Sequence, residues 1–81
     1  MMRRPAKHSF SIRGHRTSIS LEPEFWDALA EIARARAISL SALVAEIDSA
    51  RTGDAGLSIA VRLYVLGYYR EQARATITPP L

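Results

Sequence analysis

The chain has 81 residues, no cysteine and 48% hydrophobic residues, which indicates one domain near the lower size limit for a self-sufficient core. Without disulfides or cysteine-based zinc spacing, such a chain often completes its core with a second copy. Residues 1–21 hold five Lys or Arg and no acid, whereas residues 22–81 hold six Arg and eight acids, giving +3 overall. The basic segment predicts a polyanionic partner, nucleic acid before an anionic membrane, against the alternative of a solubilising tail.

Several other classes of function are disfavoured by what the sequence lacks. The longest apolar stretch, residues 63–69, is too short to span a bilayer. No apolar segment directly follows Arg3-Arg4-Pro5, so the sequence does not indicate a secretory signal. Because cysteine is absent as well, we expect a cytoplasmic protein with no membrane partner. No glycine-rich phosphate loop and no His–carboxylate pair at useful spacing occurs, so we expect no catalytic residue, no metal site and no cofactor.

The first element in chain order is a strand. Residues 1–13 read as a basic arm, although apolar and polar residues already alternate from His8 onward. The apolar positions fall on even numbers before Gly14 and on odd numbers after it, which predicts a bulge or a turn there. Residues 16–21 are the better strand, with Ile19 and Leu21 on the inner face and Arg16, Ser18 and Ser20 on the outer face.

Three helices are predicted after this strand. Glu22-Pro23-Glu24 opens the first, which fades near residue 36, and Ser39 is a natural N-cap for the second. Ser58 caps a third helix over residues 58–70 that is apolar nearly all round, which predicts burial on most sides. We take residues 14–73 as the folded domain and residues 74–81 as a frayed tail.

A lone strand before the helices has no partner in its own chain, so its backbone groups need one elsewhere. An antiparallel pair with the same strand of a second chain supplies it with two-fold symmetry. We therefore expect an intertwined homodimer. We also expect its core to contain ten residues: Ile19, Leu21, Trp26, Leu29, Leu43, Val44, Ile47, Leu63, Tyr64 and Leu66.

The order of strand, helix and helix resembles the ribbon-helix-helix family of bacterial regulators. Thr17–Ala33 is similar to the family's strand, its acidic or proline helix start and its first helix. Ile38–Ile47, with its Ser-x-Ser start, is similar to the second helix. The resemblance covers residues 15–51 well, and the third helix is an addition to the pattern.

This resemblance implies a mainly α fold with a two-stranded antiparallel ribbon that enters the major groove of double-stranded DNA. It implies base contacts from the outer strand residues Arg16, Ser18 and Ser20. It also implies a phosphate anchor at the start of the second helix, where backbone N–H groups make an anion site. The phosphate candidates are Arg3, Arg4, Lys7, Arg13, His15, Ser39, Leu40 and Ser41.

The sequence departs from the family at the outer strand positions, where two of three residues are serines instead of long polar side chains. Serine hydroxyls reach little and discriminate bases weakly. The favoured function is therefore sequence-directed or weakly specific DNA binding by a homodimeric transcriptional regulator. The alternative is a dimerising adaptor that docks a protein partner on residues 58–70 and binds little or no DNA.

Overall fold

The protein is described by a computed structural model of residues 4–52 and 56–76, with the backbone alone at residue 76. Its elements are strands β1 (Ala6–Ile12) and β2 (His15–Leu21) and helices α1 (Pro23–Ala35), α2 (Leu40–Ala50) and α3 (Leu57–Thr76). This order confirms the predicted fold class: a mostly helical chain with a two-stranded antiparallel ribbon, two helices and an added third helix.

Both strands of the ribbon belong to one chain. β1 pairs antiparallel with β2, from Ala6 opposite Leu21 to Ile12 opposite His15. The premise that the strand over residues 16–21 has no partner in its own chain is therefore wrong, because residues 6–12 of the predicted basic arm form that partner. A second copy is not needed to complete the ribbon, and the homodimer remains a prediction.

The two strands are joined by a two-residue turn, Arg13-Gly14. Both residues have positive φ, 50° at Arg13 and 80° at Gly14, as a type I′ hairpin turn requires. Of the two structures predicted at Gly14, a bulge or a turn, the turn is confirmed. The change of apolar parity follows from the register, since every even residue of β1 faces an odd residue of β2.

The core lies between the inner face of this hairpin and the three helices. The hairpin contributes Phe10, Ile12, Ile19 and Leu21, all buried. The indole Nε1 of Trp26 donates a hydrogen bond of 2.8 Å to the carbonyl oxygen of Ala6, which ties the start of β1 to α1. Seven of the residues predicted for a dimer core are buried within this single chain: Ile19, Leu21, Trp26, Leu29, Leu43, Val44 and Ile47.

The end of α1 is closed by two backbone hydrogen bonds. The N–H of Ile38 donates to the carbonyl oxygen of Ala33 at 3.0 Å, and that of Ala37 to Arg34 at 3.1 Å. This pair is the Schellman motif, whose left-handed position is usually glycine. Here Ala37 occupies it, with a φ of 58°.

The sequence predicted the N-cap of α2 correctly and that of α3 incorrectly. Ser39 is the N-cap of α2, as expected, and its Oγ accepts a 3.0 Å hydrogen bond from the N–H of Ala42. The expectation that Ser58 caps the third helix is wrong, because α3 already begins at Leu57. Helix α3 also runs to Thr76, past the predicted boundary at residue 73, since residues 71–74 (Glu-Gln-Ala-Arg) are good helix formers.

Helix α3 is apolar on two opposite sides, but only one of them is covered. Val61 and Val65 are buried against the body of the chain. On the other side, Ile59, Leu63 and Leu66 are exposed by 53%, 62% and 53%, and Tyr69, between the two sides and next to α1, is exposed by 38%. We call these four residues the α3 stripe. Of the residues predicted for a dimer core, Leu63 and Leu66 are thus exposed in the single chain, and Tyr64 is half-buried.

Two charged contacts fasten α3 and α2 to α1. The guanidinium of Arg36 donates to both carboxylate oxygens of Glu46, at 2.6 and 2.9 Å, and to the hydroxyl of Tyr64 at 3.1 Å. Arg62 of α3 donates to both carboxylate oxygens of Glu22, at 3.0 and 3.1 Å. Two parallel hydrogen bonds to one carboxylate fix the geometry of an ion pair. These contacts therefore help to set the positions of α2 and α3 relative to α1.

Replacing Ala37 with glycine should stabilise the fold. A left-handed backbone costs a non-glycine residue roughly 1–2 kcal/mol. Ala37 has that conformation, and glycine at the same position would not have this cost. We expect Ala37→Gly to raise the free energy of unfolding, measured by urea denaturation, by about 0.5–1 kcal/mol, after the extra entropy of the unfolded glycine is subtracted. As control, Ala30→Gly within α1 should lower the same quantity by about 1 kcal/mol. Destabilisation by both variants would contradict the assigned conformation.

The Arg36–Glu46 pair should make stability depend on pH in the acid range. Hydrogen bonds from Arg36 hold the pKa of Glu46 below its ordinary value of 4.5. A carboxylate whose pKa is lowered by folding contributes stability above pH 4.5 and loses it as the pH falls below that value. Glu46→Gln should therefore be less stable than the parent chain in urea at pH 7 and nearly equal to it near pH 3. An equal difference at both pH values would exclude this contribution.

Candidate functional site

The outer face of the hairpin carries six exposed polar side chains in two rows of three. Along β1 they are Lys7, Ser9 and Ser11, and along β2 they are Ser20, Ser18 and Arg16. The register places each residue of the first row opposite the corresponding residue of the second. The outer face, as we call these six residues, is polar because the opposite face of the same strands supplies the core.

The two cations of the outer face lie at opposite ends of it. Lys7 pairs with Ser20 near the start of β1, and Arg16 pairs with Ser11 beside the turn. These two positions are four residues apart along the strand, which corresponds to about 13 Å at roughly 3.3 Å per residue. Neither side chain has a hydrogen bond or ion pair with another described residue, so both cations are available to a ligand.

Serine hydroxyls fill the space between the two cations. Ser9 and Ser18 lie opposite each other, with their Oγ atoms 3.2 Å apart, within hydrogen-bond distance. A hydroxyl both donates and accepts hydrogen bonds, so these serines offer no fixed pattern of donors and acceptors. The outer face therefore combines two separated positive charges with a short, adaptable polar surface.

The sequence predicted half of this face and missed the other half. Arg16, Ser18 and Ser20 were expected on an outer strand face and are exposed there. Lys7 was assigned to the basic arm, but it lies within β1. Ser9 and Ser11 were not singled out, although the alternation after His8 already indicated them.

Arg13 occupies the turn and contacts α2. Its Nη2 donates to Asp48 Oδ2 at 3.0 Å and to Ser49 Oγ at 2.8 Å. Asp48 also accepts a 2.9 Å bond from Arg51. Because these partners lie 35 and 36 residues away in the chain, no local sequence pattern could predict them. The contact fixes the tip of the hairpin against the end of α2.

A shallow cleft of about 480 Å³ opens beside this contact, with His15 and Thr17 on one wall and Asp48 and Arg51 on the other. His15 is exposed there. Of the remaining predicted phosphate residues in the N-terminal segment, Arg4 is exposed just before β1. Arg3 lies outside the described residues.

The start of α2 is where the sequence predicted the phosphate anchor. Ser39 and Ser41 are exposed and Leu40 is half-buried. The first N–H groups of a helix have no intrahelical acceptor, so those of Leu40 and Ser41 are available to an anion. No hydrogen bond among the described residues joins this helix start to the outer face.

Neither metal chemistry nor a membrane span is indicated by the described part of the chain. Residues 4–52 and 56–76 contain no group of three or more His, Cys, Asp or Glu placed to hold a metal ion. The ring of His8 packs edge-on against Trp26 at 4.3 Å, which accounts for that histidine by packing. None of the helices in these ranges has the length and apolar character needed to cross a membrane.

Comparison with known proteins gives one match. The family model described as "Ribbon-helix-helix domain" matches residues 5–69. This range is more than half of the chain and includes the hairpin, α1, α2 and most of α3. No curated protein and no solved structure matches the chain.

The turn that presents the outer face should be sensitive to loss of its glycine. Gly14 has a φ of 80°, and a Cβ there would meet nothing within 4 Å, so the cost of Gly14→Ala is conformational alone. We expect this variant to lower the free energy of unfolding by about 1 kcal/mol. Gly67→Ala, at a helical glycine in equally open surroundings, should instead raise it by about 0.5–1 kcal/mol. Stabilisation by both variants would refute the turn geometry.

Proposed function

The chain belongs to the ribbon-helix-helix family, and we propose that it is a DNA-binding transcriptional regulator whose hairpin enters the major groove. The observation that carries the proposal is the outer face, a polar ribbon surface with one cation at each end. A two-stranded ribbon fits the major groove of B-DNA. Each hairpin is complete within one chain, so one copy already presents such a ribbon.

The spacing of the two cations supports this orientation. Lys7 and Arg16 are separated by about 13 Å along the ribbon, close to the major-groove width of about 12 Å. A hairpin inserted across the groove thus places each cation near a phosphate backbone. The serines between them then face the base edges.

The chemistry of the four serines of the outer face sets the expected specificity. Ser9, Ser11, Ser18 and Ser20 offer short hydroxyls, which contact any base pair that presents a donor or an acceptor. Arg16, at one side of the groove, is long enough to reach inward and donate two hydrogen bonds to guanine. We therefore propose weak to moderate sequence preference, with most of the affinity coming from phosphate contacts.

Further phosphate contacts are assigned to groups around the hairpin. Arg4 precedes β1, Arg13 lies in the turn, and His15 follows the turn at the start of β2. The helix start at Ser39–Ser41 supplies backbone N–H groups to a second phosphate. In this proposal Arg13 keeps its Nη2 bonds to Asp48 and Ser49 and offers its other guanidinium N–H groups to DNA, so its contribution is smaller than that of Arg16.

The remaining parts of the proposal concern assembly and setting. We propose that the protein acts as a homodimer in the cytoplasm, without cofactor or enzymatic activity. A dimer doubles the net charge to +6, from +3 per chain, and doubles the number of basic hairpins. Association with duplex DNA then depends steeply on salt.

A second candidate function is a protein-interaction adaptor, and the exposed α3 stripe favours it. Apolar patches of this kind on soluble proteins often mark interaction sites. This candidate requires little or no DNA binding, whereas the regulator requires binding that strengthens at low salt. Titration of duplex DNA at low and moderate salt therefore separates the two functions.

Removing the guanidinium at the groove-facing end of β2 should weaken DNA binding. We expect Arg16→Ala to lower the affinity for duplex DNA about tenfold and to reduce the slope of log K against log salt by about one. Fluorescence anisotropy with a labelled duplex at several salt concentrations measures both quantities. Arg34→Ala, which removes an exposed arginine from α1 away from the outer face, is the matched control. Equal effects of the two variants, or no binding by the parent chain at low salt, would contradict the proposed interface.

A further inference from the structure

The cleft beside the turn is a concave surface where three parts of the chain meet. The hairpin, the end of α2 and the start of α3 all contribute to its lining, which includes Arg13, His15, Thr17, Asp48, Arg51 and Leu57. Its volume of about 480 Å³ lies within the range of about 300–1,000 Å³ that is typical of small-molecule sites. The cleft is therefore large enough to hold a small ligand.

The charged groups of the cleft have an excess of positive charge. Arg13 Nη2 donates to Asp48 Oδ2 at 3.0 Å, and Arg51 Nη2 donates to Asp48 Oδ1 at 2.9 Å. One carboxylate thus holds two guanidinium groups close together, and each of its oxygens already accepts a hydrogen bond. Asp48 is the one acid that the described part of the chain contributes to this lining. Two arginines (+2) and one aspartate (−1) give these residues a net charge of +1.

Hydrogen-bond donors also remain on the hairpin wall of the cleft. Arg13 uses Nη2 in its bonds to Asp48 and Ser49, whereas its Nε and Nη1 groups make no hydrogen bond with another described residue. A guanidinium is a planar fork of donors that matches the two oxygens of a carboxylate. His15 is exposed and Thr17 is half-buried beside it, and each adds a donor. The cleft is thus suited to an oxyanion.

The cleft has an apolar side as well. Leu57 is half-buried at the start of α3, and Ile12 next to the turn is 5% exposed. Both residues line the cleft, so a ligand there contacts hydrocarbon in addition to charge. Burial of apolar surface adds affinity that an inorganic ion cannot gain. An organic anion therefore fits the lining better than an inorganic one.

We propose that this cleft binds a small organic monoanion, a carboxylate attached to a short hydrocarbon group. The carboxylate lies beside the two guanidinium groups and accepts hydrogen bonds from Arg13. The hydrocarbon group lies against Leu57. The net charge of +1 on the arginines and Asp48 is balanced by the single negative charge of a carboxylate.

The position of the cleft separates it from the surface proposed for DNA. His15 and Thr17 alternate with Arg16 and Ser18 along β2, and the period of two in a strand directs the two pairs to opposite faces of the sheet. A duplex that lies on the outer face is thus across the sheet from the cleft. The ligand of the cleft is a separate small molecule, not the DNA on that face.

The two sites are nevertheless linked at the turn. Arg13 and His15 line the cleft, and both are also assigned above to DNA phosphates. A carboxylate in the cleft takes their donors and neutralises positive charge beside the duplex, so it should weaken DNA binding. This consequence rests on the proposed function, whereas binding of the carboxylate in the cleft does not.

The test is a titration of the full, isotope-labelled chain with butyrate, without DNA and with sodium chloride adjusted to keep the ionic strength constant. We expect saturable shifts of the backbone amide signals of residues 12–17, 48–51 and 57. Acetate has two methylene groups fewer, and a fully buried methylene strengthens binding about fourfold. Because the cleft is open, we expect acetate to bind about fivefold more weakly than butyrate, and inorganic phosphate also more weakly than butyrate.

Three variants locate the binding site. Arg51→Ala should weaken butyrate binding about tenfold, since Arg13 and Asp48 then carry no net charge. Leu57→Ala should bring the affinities for butyrate and acetate to within about twofold of each other. Arg34→Ala removes an exposed arginine of α1, away from the cleft, and should leave butyrate binding unchanged. Amide signals outside the cleft report whether each variant keeps the parent's fold.

Two results of the titration would overturn the site. Shifts that do not saturate and are spread over exposed cations such as Lys7, Arg16 and Arg34 would show an adventitious ion only. Equal losses of affinity in Arg51→Ala and Arg34→Ala would have the same meaning. Equal affinities of the parent chain for acetate and butyrate would overturn the organic character of the ligand.

A separate measurement tests the link to DNA. In fluorescence anisotropy with a labelled duplex, butyrate should weaken binding by the parent chain more than sodium chloride of equal ionic strength does, and it should lose this effect on Arg51→Ala. Equal effects of the two salts on the parent chain would overturn the link. A parent chain that does not bind DNA at low salt would refute the proposed function, and the titration without DNA would still decide the cleft.

Discussion

The structure depends on one constraint: a two-stranded sheet has two faces, and the three helices cover only one of them. Phe10, Ile12, Ile19 and Leu21 supply the covered face and are buried. The period of two in a strand then forces the intervening residues outward. The outer face is therefore polar for a structural reason, and its availability to a ligand is a consequence of how the core is built.

The same constraint explains the polar contacts that position the hairpin on the helices. A hairpin alone is marginally stable in water, so both of its ends are fastened. Trp26 holds the start of β1 through the carbonyl oxygen of Ala6, and Arg13 holds the turn through Asp48 and Ser49 on α2. With both ends fixed, the outer face is held in place by the rest of the fold, and a preorganised surface loses less entropy when a ligand binds to it.

The sequence was sufficient for the fold class and for three helices, because apolar periodicity and helix-start residues such as Pro23 and Ser39 are local signals. It was insufficient for the pairing of β1 with β2, since charged and small polar residues before Phe10 resemble a mobile arm. Arg16, Ser18 and Ser20 could be predicted as a face from alternation alone. The Arg13–Asp48 contact and the exposure of Leu63 depend on tertiary placement, which no local pattern reports.

We propose that the outer face of the hairpin is the surface that meets DNA. The most direct measurement is a titration of the isotope-labelled chain with a short duplex at low salt, followed through its backbone amide signals. We expect shifts concentrated at residues 7–20, with a second group at the start of α2. Shifts confined to α3, or no shifts at all, would contradict it.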